Sequence, residues 1–177
     1  MKTIFDARNR FLLGSLLLAM TLVWTGFIFI NSLSDGAESS KQSGKVAETV
    51  EKVAEIAGIE IKDKAKLSRR IRKSAHFLEF GLLGGLTFMT VMAYKMKPLA
   101  TSVLPIGYCL TAASADEYIQ TFTPGRAGLV SDVLIDVAGA SFAILLCLGI
   151  TVLLERSYTR RKDRKKDLFR TKNKGAD

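Results

Sequence analysis

Apolar residues in this chain are gathered into four long blocks, and most of the charged residues lie between the blocks. The blocks cover residues 11–33, 75–94, 99–115 and 129–154. An uncharged apolar segment of about 18 residues or more is long enough to cross a bilayer as a helix. The pattern therefore predicts an all-α, polytopic membrane helix bundle with four transmembrane helices.

The first block allows a second interpretation, because apolar segments near an N-terminus also occur in secretory signal peptides. A signal peptide has an apolar core of about 7–15 residues that ends at a small-residue cleavage site. Here the uncharged stretch is longer, and Asp35-Gly36-Ala37 matches such a site poorly. We therefore expect an uncleaved membrane helix.

Valine and isoleucine recur at spacings of three and four residues within the hydrophilic segment 34–73. This spacing places them on one side of a helix, and it predicts an extra amphipathic helix over about 45–57. The stripe would lie on the membrane surface or cap the bundle. Gly58 would end this helix, and a basic helix over about 63–73 would lead into the second block. The stripe consists of Val46, Val50, Val53, Ile56 and Ile59.

Basic residues indicate which ends of the blocks are cytoplasmic. They precede the first block, separate the second from the third at Lys95 and Lys97, and fill a tail over 155–177. Four spans put all of them on one side, which the positive-inside rule makes the cytoplasm. Segment 34–73 also contains more basic than acidic residues, which by the same rule would favour the cytoplasm. With four spans and two cytoplasmic termini, however, this segment has to be an outer loop. We expect a bacterial plasma-membrane protein with a four-helix domain over 11–154.

The net charge of +9 does not by itself indicate nucleic-acid binding. Ten of the 26 basic residues lie in the tail, where only Tyr158 and Phe169 are interleaved with them. Binding of single-stranded nucleic acid needs aromatic side chains as stacking platforms. We therefore predict membrane lipids, anionic or polyprenyl-phosphate-linked, as partners and no nucleic acid. Cys109 and Cys147 would lie at different depths, so no disulfide is expected.

The predicted topology brings three groups of polar residues, far apart in sequence, to the outer ends of the second, third and fourth helices. Ionisable groups at membrane depth normally face the bundle interior or a wet cavity, and they indicate function. Residues three or four apart also share a helix face. The catalytic candidates are His76, Glu79, Asp116, Glu117, Asp132 and Asp136, and the substrate-binding candidates are Arg72, Lys73, Gln120 and Arg126.

Three linked motifs resemble signatures of the VanZ-like family of integral membrane proteins. Residues 72–80 resemble R-K-x-A-H-F-x-E-Y, with Phe80 in place of the usual Tyr. Residues 115–126 are similar to the D-E-x-x-Q-x-F-x-P-G-R block, and residues 132–139 match D-x-x-x-D-x-x-G. The resemblance covers roughly 12–154. It implies a cell-envelope protein linked to glycopeptide (teicoplanin) resistance, without an established reaction.

Three hypotheses fit the polar residues. His76 with Glu79, Asp132 and Asp136 could hold a divalent metal, although no compact metal motif is present and the sequence does not identify a cofactor. A membrane-embedded hydrolase or transferase could act on a lipid-linked phosphate or cell-wall precursor at the outer leaflet. His76 would then be a general base, and arginines would hold the phosphate. In the third hypothesis the residues form a structural network, which would pair Arg126 with Asp116, Glu117 or Asp132, and His76 with Glu79 or Gln120.

Overall fold

Helices account for the secondary structure of the described residues, which are 2–34, 36–56 and 63–174 of this computed structural model. The predicted all-α class is confirmed, because these residues contain no strand. Gly58 and Ile59, where the amphipathic helix was predicted to end, lie outside the described residues. The helices are α1 (Lys2–Ser32), α2 (Gly36–Ile56), α3 (Lys64–Ala93), α4 (Pro98–Gln120) and α5 (Val130–Lys174).

Three helices are long and apolar enough to cross a membrane. The candidate spans are Ala7–Ser32, Lys64–Ala93 and Val130–Lys162. They overlap the first, second and fourth apolar blocks of the sequence. The third block lies within α4, which is not among the candidate spans in the described part of the chain.

One apolar core is shared by α1, α3, α4 and the first turns of α5. Its members are nearly or completely inaccessible to solvent, and Trp24 and Tyr108 pack against them. Because α4 contributes three of the core residues, it packs as a full member of this bundle. The core consists of Ile28, Phe80, Leu83, Cys109, Ala112, Ala113 and Ala140.

Helix α3 and the first turns of α5 approach each other so closely that two glycines leave no room for a side chain. A Cβ atom on Gly139 would overlap the carbonyl oxygen of Phe77, and one on Gly84 would lie 2.6 Å from that of Ala140. Small residues permit this kind of approach between membrane helices. The contact places the start of α5 beside the part of α3 that carries His76.

Helix α2 packs antiparallel to the beginning of α3. The hydroxyl oxygens of Ser43 and Ser68 are 3.0 Å apart, and Lys64 Nζ is 2.8 Å from Glu51 Oε1. Ala47, on the same side of α2, is buried. Because α2 packs through this side, its apolar stripe is left largely exposed. The exposed side chains are Val46, Val50, Val53 and Ile56.

The chain divides into two compact units, Met1–Ile144 and Leu145–Asp177. The first unit contains α1 to α4, the start of α5 and every predicted site residue. The second unit contains the rest of α5, where the Thr151 hydroxyl donates to the Cys147 carbonyl oxygen at 2.8 Å. Both cysteines of the chain are free thiols.

Candidate functional site

The predicted site residues form one connected group, which we call the polar cluster. Helix α3 supplies four of them, α4 supplies three, the connection between α4 and α5 supplies one, and α5 supplies two. Hydrogen bonds, ion pairs and charge–charge interactions link each member to at least one other. The polar cluster consists of Arg72, Lys73, His76, Glu79, Asp116, Glu117, Gln120, Arg126, Asp132 and Asp136.

His76, Asp116 and Asp136 lie at the centre of the polar cluster. One nitrogen or oxygen atom from each lies within 4.8 Å of the other two, and His76 Nδ1 is 3.6 Å from Asp136 Oδ1. Both aspartates are fully buried. Asp116 accepts hydrogen bonds from Ser32 Oγ at 2.5 Å and Gln120 Nε2 at 2.9 Å. Asp136 accepts none from the described residues.

Glu117 fixes the connection between α4 and α5. Its Oε2 accepts a hydrogen bond from the Leu129 backbone N–H at 2.8 Å, just before α5 begins. Its Oε1 accepts one from Gln120 Nε2 at 3.2 Å. Gly128 lies so close to the Glu117 carbonyl oxygen that a Cβ atom there would overlap it. The Glu117 side chain is thus placed to hold this connection against α4.

Replacing Glu117 with alanine is expected to lower the free energy of unfolding by about 1–3 kcal/mol, because it leaves the part-buried Leu129 N–H without its acceptor and removes one of the two acceptors of Gln120 Nε2. Glu117→Gln should cost less, since the amide oxygen still accepts one hydrogen bond. Thermal unfolding in detergent, followed by fluorescence of Trp24, the one tryptophan of the chain, measures both. The exposed Glu48 gives the control Glu48→Ala. Equal melting temperatures for Glu117→Ala and Glu48→Ala would contradict this assignment.

Arg126 is presented by a tight turn. Its backbone N–H donates to the Thr123 carbonyl oxygen at 3.1 Å, and Gly125 has a φ of 72°, a conformation that favours glycine. Proline followed by such a glycine at the two central positions is typical of a type II turn. The Thr123 hydroxyl also donates to the Ser32 carbonyl oxygen at 3.0 Å, which ties the turn to the end of α1.

The guanidinium of Arg126 is incompletely paired. Its Nη2 donates to the Asn31 carbonyl oxygen at 3.3 Å, while its Nε is buried without a hydrogen-bond partner among the described residues. Burial lowers the pKa of Arg126 from its ordinary value and the neighbouring charge of Arg72 lowers it further, and together they outweigh the raising effect of the carboxylates of Asp116, Glu117 and Glu79. Both effects disfavour the cation, so an anion beside Arg126 would stabilise it.

The ion pairs of the polar cluster differ from those that a purely structural network predicts. Lys73 Nζ is 2.7 Å from Asp132 Oδ1, and His76 faces Asp136 instead of Glu79 or Gln120. Within the described parts of the chain, Arg126 forms no ion pair with a carboxylate. Lys73, a predicted substrate-binding residue, is therefore already paired, whereas Arg126 is not.

A cavity of about 230 Å³ opens beside the cluster between α1, α2, α3 and the α4–α5 connection. Four predicted site residues line it, namely Arg72, His76, Glu79 and Arg126. The uncharged polar wall of this cavity was not predicted from the sequence, because serine and asparagine at a helix end form no distinctive pattern. Those wall residues are Asn31, Ser32, Ser34, Ser39 and Ser43.

These features define a helical protein with membrane-spanning character and a buried cluster of ionisable residues at one end of its bundle. A family model described as VanZ/LLP1 matches residues 17–154, and the chain belongs to this family. The family resemblance predicted from the three motifs is confirmed, and the matched region contains the whole polar cluster. Comparisons with curated proteins and with solved structures gave no match.

Proposed function

We propose that this protein is a four-span plasma-membrane protein that binds the phosphate-bearing headgroup of an envelope lipid at the outer face. The observation that carries the proposal is the incompletely paired guanidinium of Arg126, whose Nε is buried, beside a polar cavity. Such a ligand would connect the protein with cell-envelope function and with the glycopeptide resistance that the family resemblance implies.

Helix α4 supplies the fourth span in this proposal. Its 23 residues would extend about 34 Å at 1.5 Å per residue, which is enough for a hydrocarbon core of about 30 Å. It also packs in the same core as the three candidate spans. The basic turn at Lys95 and Lys97 then lies in the cytoplasm together with both termini.

The same topology puts segment 34–73 outside the cell and the tail 155–177 inside it, with the membrane domain over 11–154. The exposed valine stripe of α2 fits a helix lying in the membrane interface, where its apolar side enters the lipid boundary. Helix α2 would thereby hold the cavity at headgroup level, because Ser39, Ser43 and Val46 of this helix line it.

Arginine suits a phosphate ligand because its planar guanidinium offers two parallel N–H donors. Arg72 and Arg126 both line the cavity, and the positive charge of Arg72 lowers the pKa of Arg126, which is already lowered by burial. A phosphate between them would relieve that repulsion. Ser39 and Ser43 also contribute to the wall of the cavity.

Equilibrium binding to the purified full-length protein in detergent tests this proposal. The probes are a polyprenyl phosphate, the uncharged polyprenol and inorganic phosphate. Comparison of the three distinguishes a lipid ligand from a free anion. We expect the polyprenyl phosphate to bind most tightly, and Arg126→Ala to weaken it about 10–100-fold, since hydrogen bonds to charged groups contribute about 1.5–3 kcal/mol. The control is Arg69→Ala, an exposed arginine on α3. Equal binding of polyprenol, or equal effects of both variants, would contradict the proposal.

Hydrolysis or transfer of a lipid-linked phosphate is a second candidate function. It is favoured by the position of His76, which lines the cavity and contacts a buried carboxylate. A histidine there can accept a proton from water as its oxygen forms a bond to phosphorus and the bond to the leaving oxygen breaks. Release of inorganic phosphate from a polyprenyl diphosphate by the wild-type protein, and not by His76→Ala, would support it.

A further inference from the structure

Asp136 is buried without the hydrogen bonds that a carboxylate normally requires. Its side chain has no solvent exposure, and neither carboxylate oxygen has a hydrogen-bond partner among the described residues. His76 Nδ1, which lies 3.6 Å from Asp136 Oδ1, is also buried without a hydrogen bond there. An isolated buried charge is very costly, so such groups are paired, neutralised or bound to a metal.

The geometry around Asp136 suits a metal ion. Nitrogen and oxygen ligands lie about 2.0–2.2 Å from zinc, so two ligands of one tetrahedral ion are separated by about 3.3–3.6 Å. The ligand atoms of His76, Asp116 and Asp136 already lie within 4.8 Å of one another. A small inward movement of these side chains would complete the site.

The charge of the polar cluster also calls for a cation. Five carboxylates face three cationic side chains, which leaves a formal excess of two negative charges when His76 is neutral. One divalent cation balances that excess. The carboxylates belong to Glu79, Asp116, Glu117, Asp132 and Asp136, and the cations to Arg72, Lys73 and Arg126.

We propose that His76, Asp116 and Asp136 bind one divalent metal ion. The mixture of imidazole and carboxylate ligands favours zinc over magnesium or calcium, which prefer oxygen ligands alone. Hydrogen bonds from Ser32 and Gln120 to Asp116 would orient that ligand, as supporting groups do in metal sites. Three protein ligands leave a further position open, and His76 borders the cavity from which that position can be reached.

The site goes beyond the proposed phosphate binding and does not depend on it. An ion at this position would be able to bind a phosphate oxygen or a water molecule, but His76, Asp116 and Asp136 can hold the ion without a phosphate. The competing explanation is that protons neutralise Asp136 and a second carboxylate. The two explanations differ in whether the isolated protein responds to a metal.

The single histidine of the chain makes a direct test possible. The full-length protein would be labelled with ¹⁵N-histidine, purified without a histidine tag, stripped with a chelator and kept in detergent free of phosphate and phospholipid. On titration with Zn²⁺, we expect one imidazole nitrogen resonance to shift and to saturate at one equivalent. Replacement of Zn²⁺ by ¹¹³Cd²⁺ should then give a scalar coupling between cadmium and that nitrogen.

Matched variants on α5 separate a metal ligand from a nearby charge. Asp136→Asn should weaken Zn²⁺ binding by about 100-fold or more, beyond the 10–100-fold that loss of an outer-shell partner costs. Asp132→Asn, one turn earlier and paired with Lys73, should change it by less than about threefold. Should Asp136→Asn fail to fold, Asp116→Asn replaces it with the same expected loss.

Two results would overturn the metal site. The first is an imidazole resonance that responds to neither Zn²⁺ nor Cd²⁺, which would leave protonation as the means of neutralising Asp136. The second is equal weakening of Zn²⁺ binding by Asp136→Asn and Asp132→Asn. Neither result bears on lipid binding, because no phosphate is present in this experiment.

Discussion

Gly139→Ala is expected to separate α5 from α3 and thereby to weaken both the fold and the polar cluster. The added methyl group would overlap the Phe77 carbonyl oxygen, which belongs to helix backbone and cannot move alone. Overpacking of this kind costs about 1–3 kcal/mol. The separation would also draw Asp136 away from His76, so ligand binding should fall together with the melting temperature.

Gly107→Ala is the matched control for this prediction. A Cβ atom on Gly107 would meet nothing within 4 Å, and alanine is favoured over glycine in a helix interior by about 1 kcal/mol. The control should therefore melt at the wild-type temperature or above. A Gly139→Ala protein as stable and as active as Gly107→Ala would show that α3 and α5 do not approach closely at this point.

His76→Ala is expected to lower the rate of phosphate release from a polyprenyl diphosphate by at least about 100-fold, the lower limit for loss of a general acid–base group. Stability should change little, because His76 Nδ1 makes no hydrogen bond within the described residues and the side chain lies at the edge of a cavity. The measurements are melting temperature in detergent and the polyprenyl-phosphate assays. Groups placed for binding or chemistry can be removed without loss of packing.

The pair Lys73 and Asp132 provides the contrasting case. Its side chains are 35 % and 22 % exposed, so we expect each single replacement to cost about 1 kcal/mol or less. The double replacement should recover part of that loss, with activity kept throughout. Breaking a buried ion pair lowers the free energy of unfolding by about 3–5 kcal/mol. A loss of this size in His76→Ala would favour the structural-network hypothesis.

The course of the helices was predictable because an apolar block of membrane-spanning length has few alternatives to a helix. The order of the blocks along the chain also determines which helix ends lie at the same end of the bundle. In the chain, Asp116 lies 40 residues after His76, and Asp136 lies 20 residues after Asp116. Alternating helix directions nevertheless suffice to bring the three residues to one end of the bundle. Convergence of the site residues therefore follows from topology.

The pairing of the side chains was not predictable in the same way. The sequence does not show which neighbour a side chain meets, so the structural-network hypothesis paired Arg126 with a carboxylate, whereas Arg126 donates to a backbone carbonyl of α1. The valine stripe of α2 was expected to lie on the membrane surface or to cap the bundle, and it is left largely exposed while α2 contacts α3 through Ser43. Uncharged residues such as Asn31 form no sequence pattern that predicts their place at the cavity.

Labelling of single cysteines in intact cells tests most directly whether the polar cluster opens at the outer face of the membrane. Ala127 lies exposed in the connection that carries Arg126, and Lys97 lies exposed in the turn between α3 and α4. A membrane-impermeant maleimide should label Ala127→Cys in intact cells, and should label Lys97→Cys only after the cells are permeabilised. Labelling of Lys97→Cys in intact cells, with Ala127→Cys protected until permeabilisation, would place the cluster in the cytoplasm and contradict the outer-leaflet function.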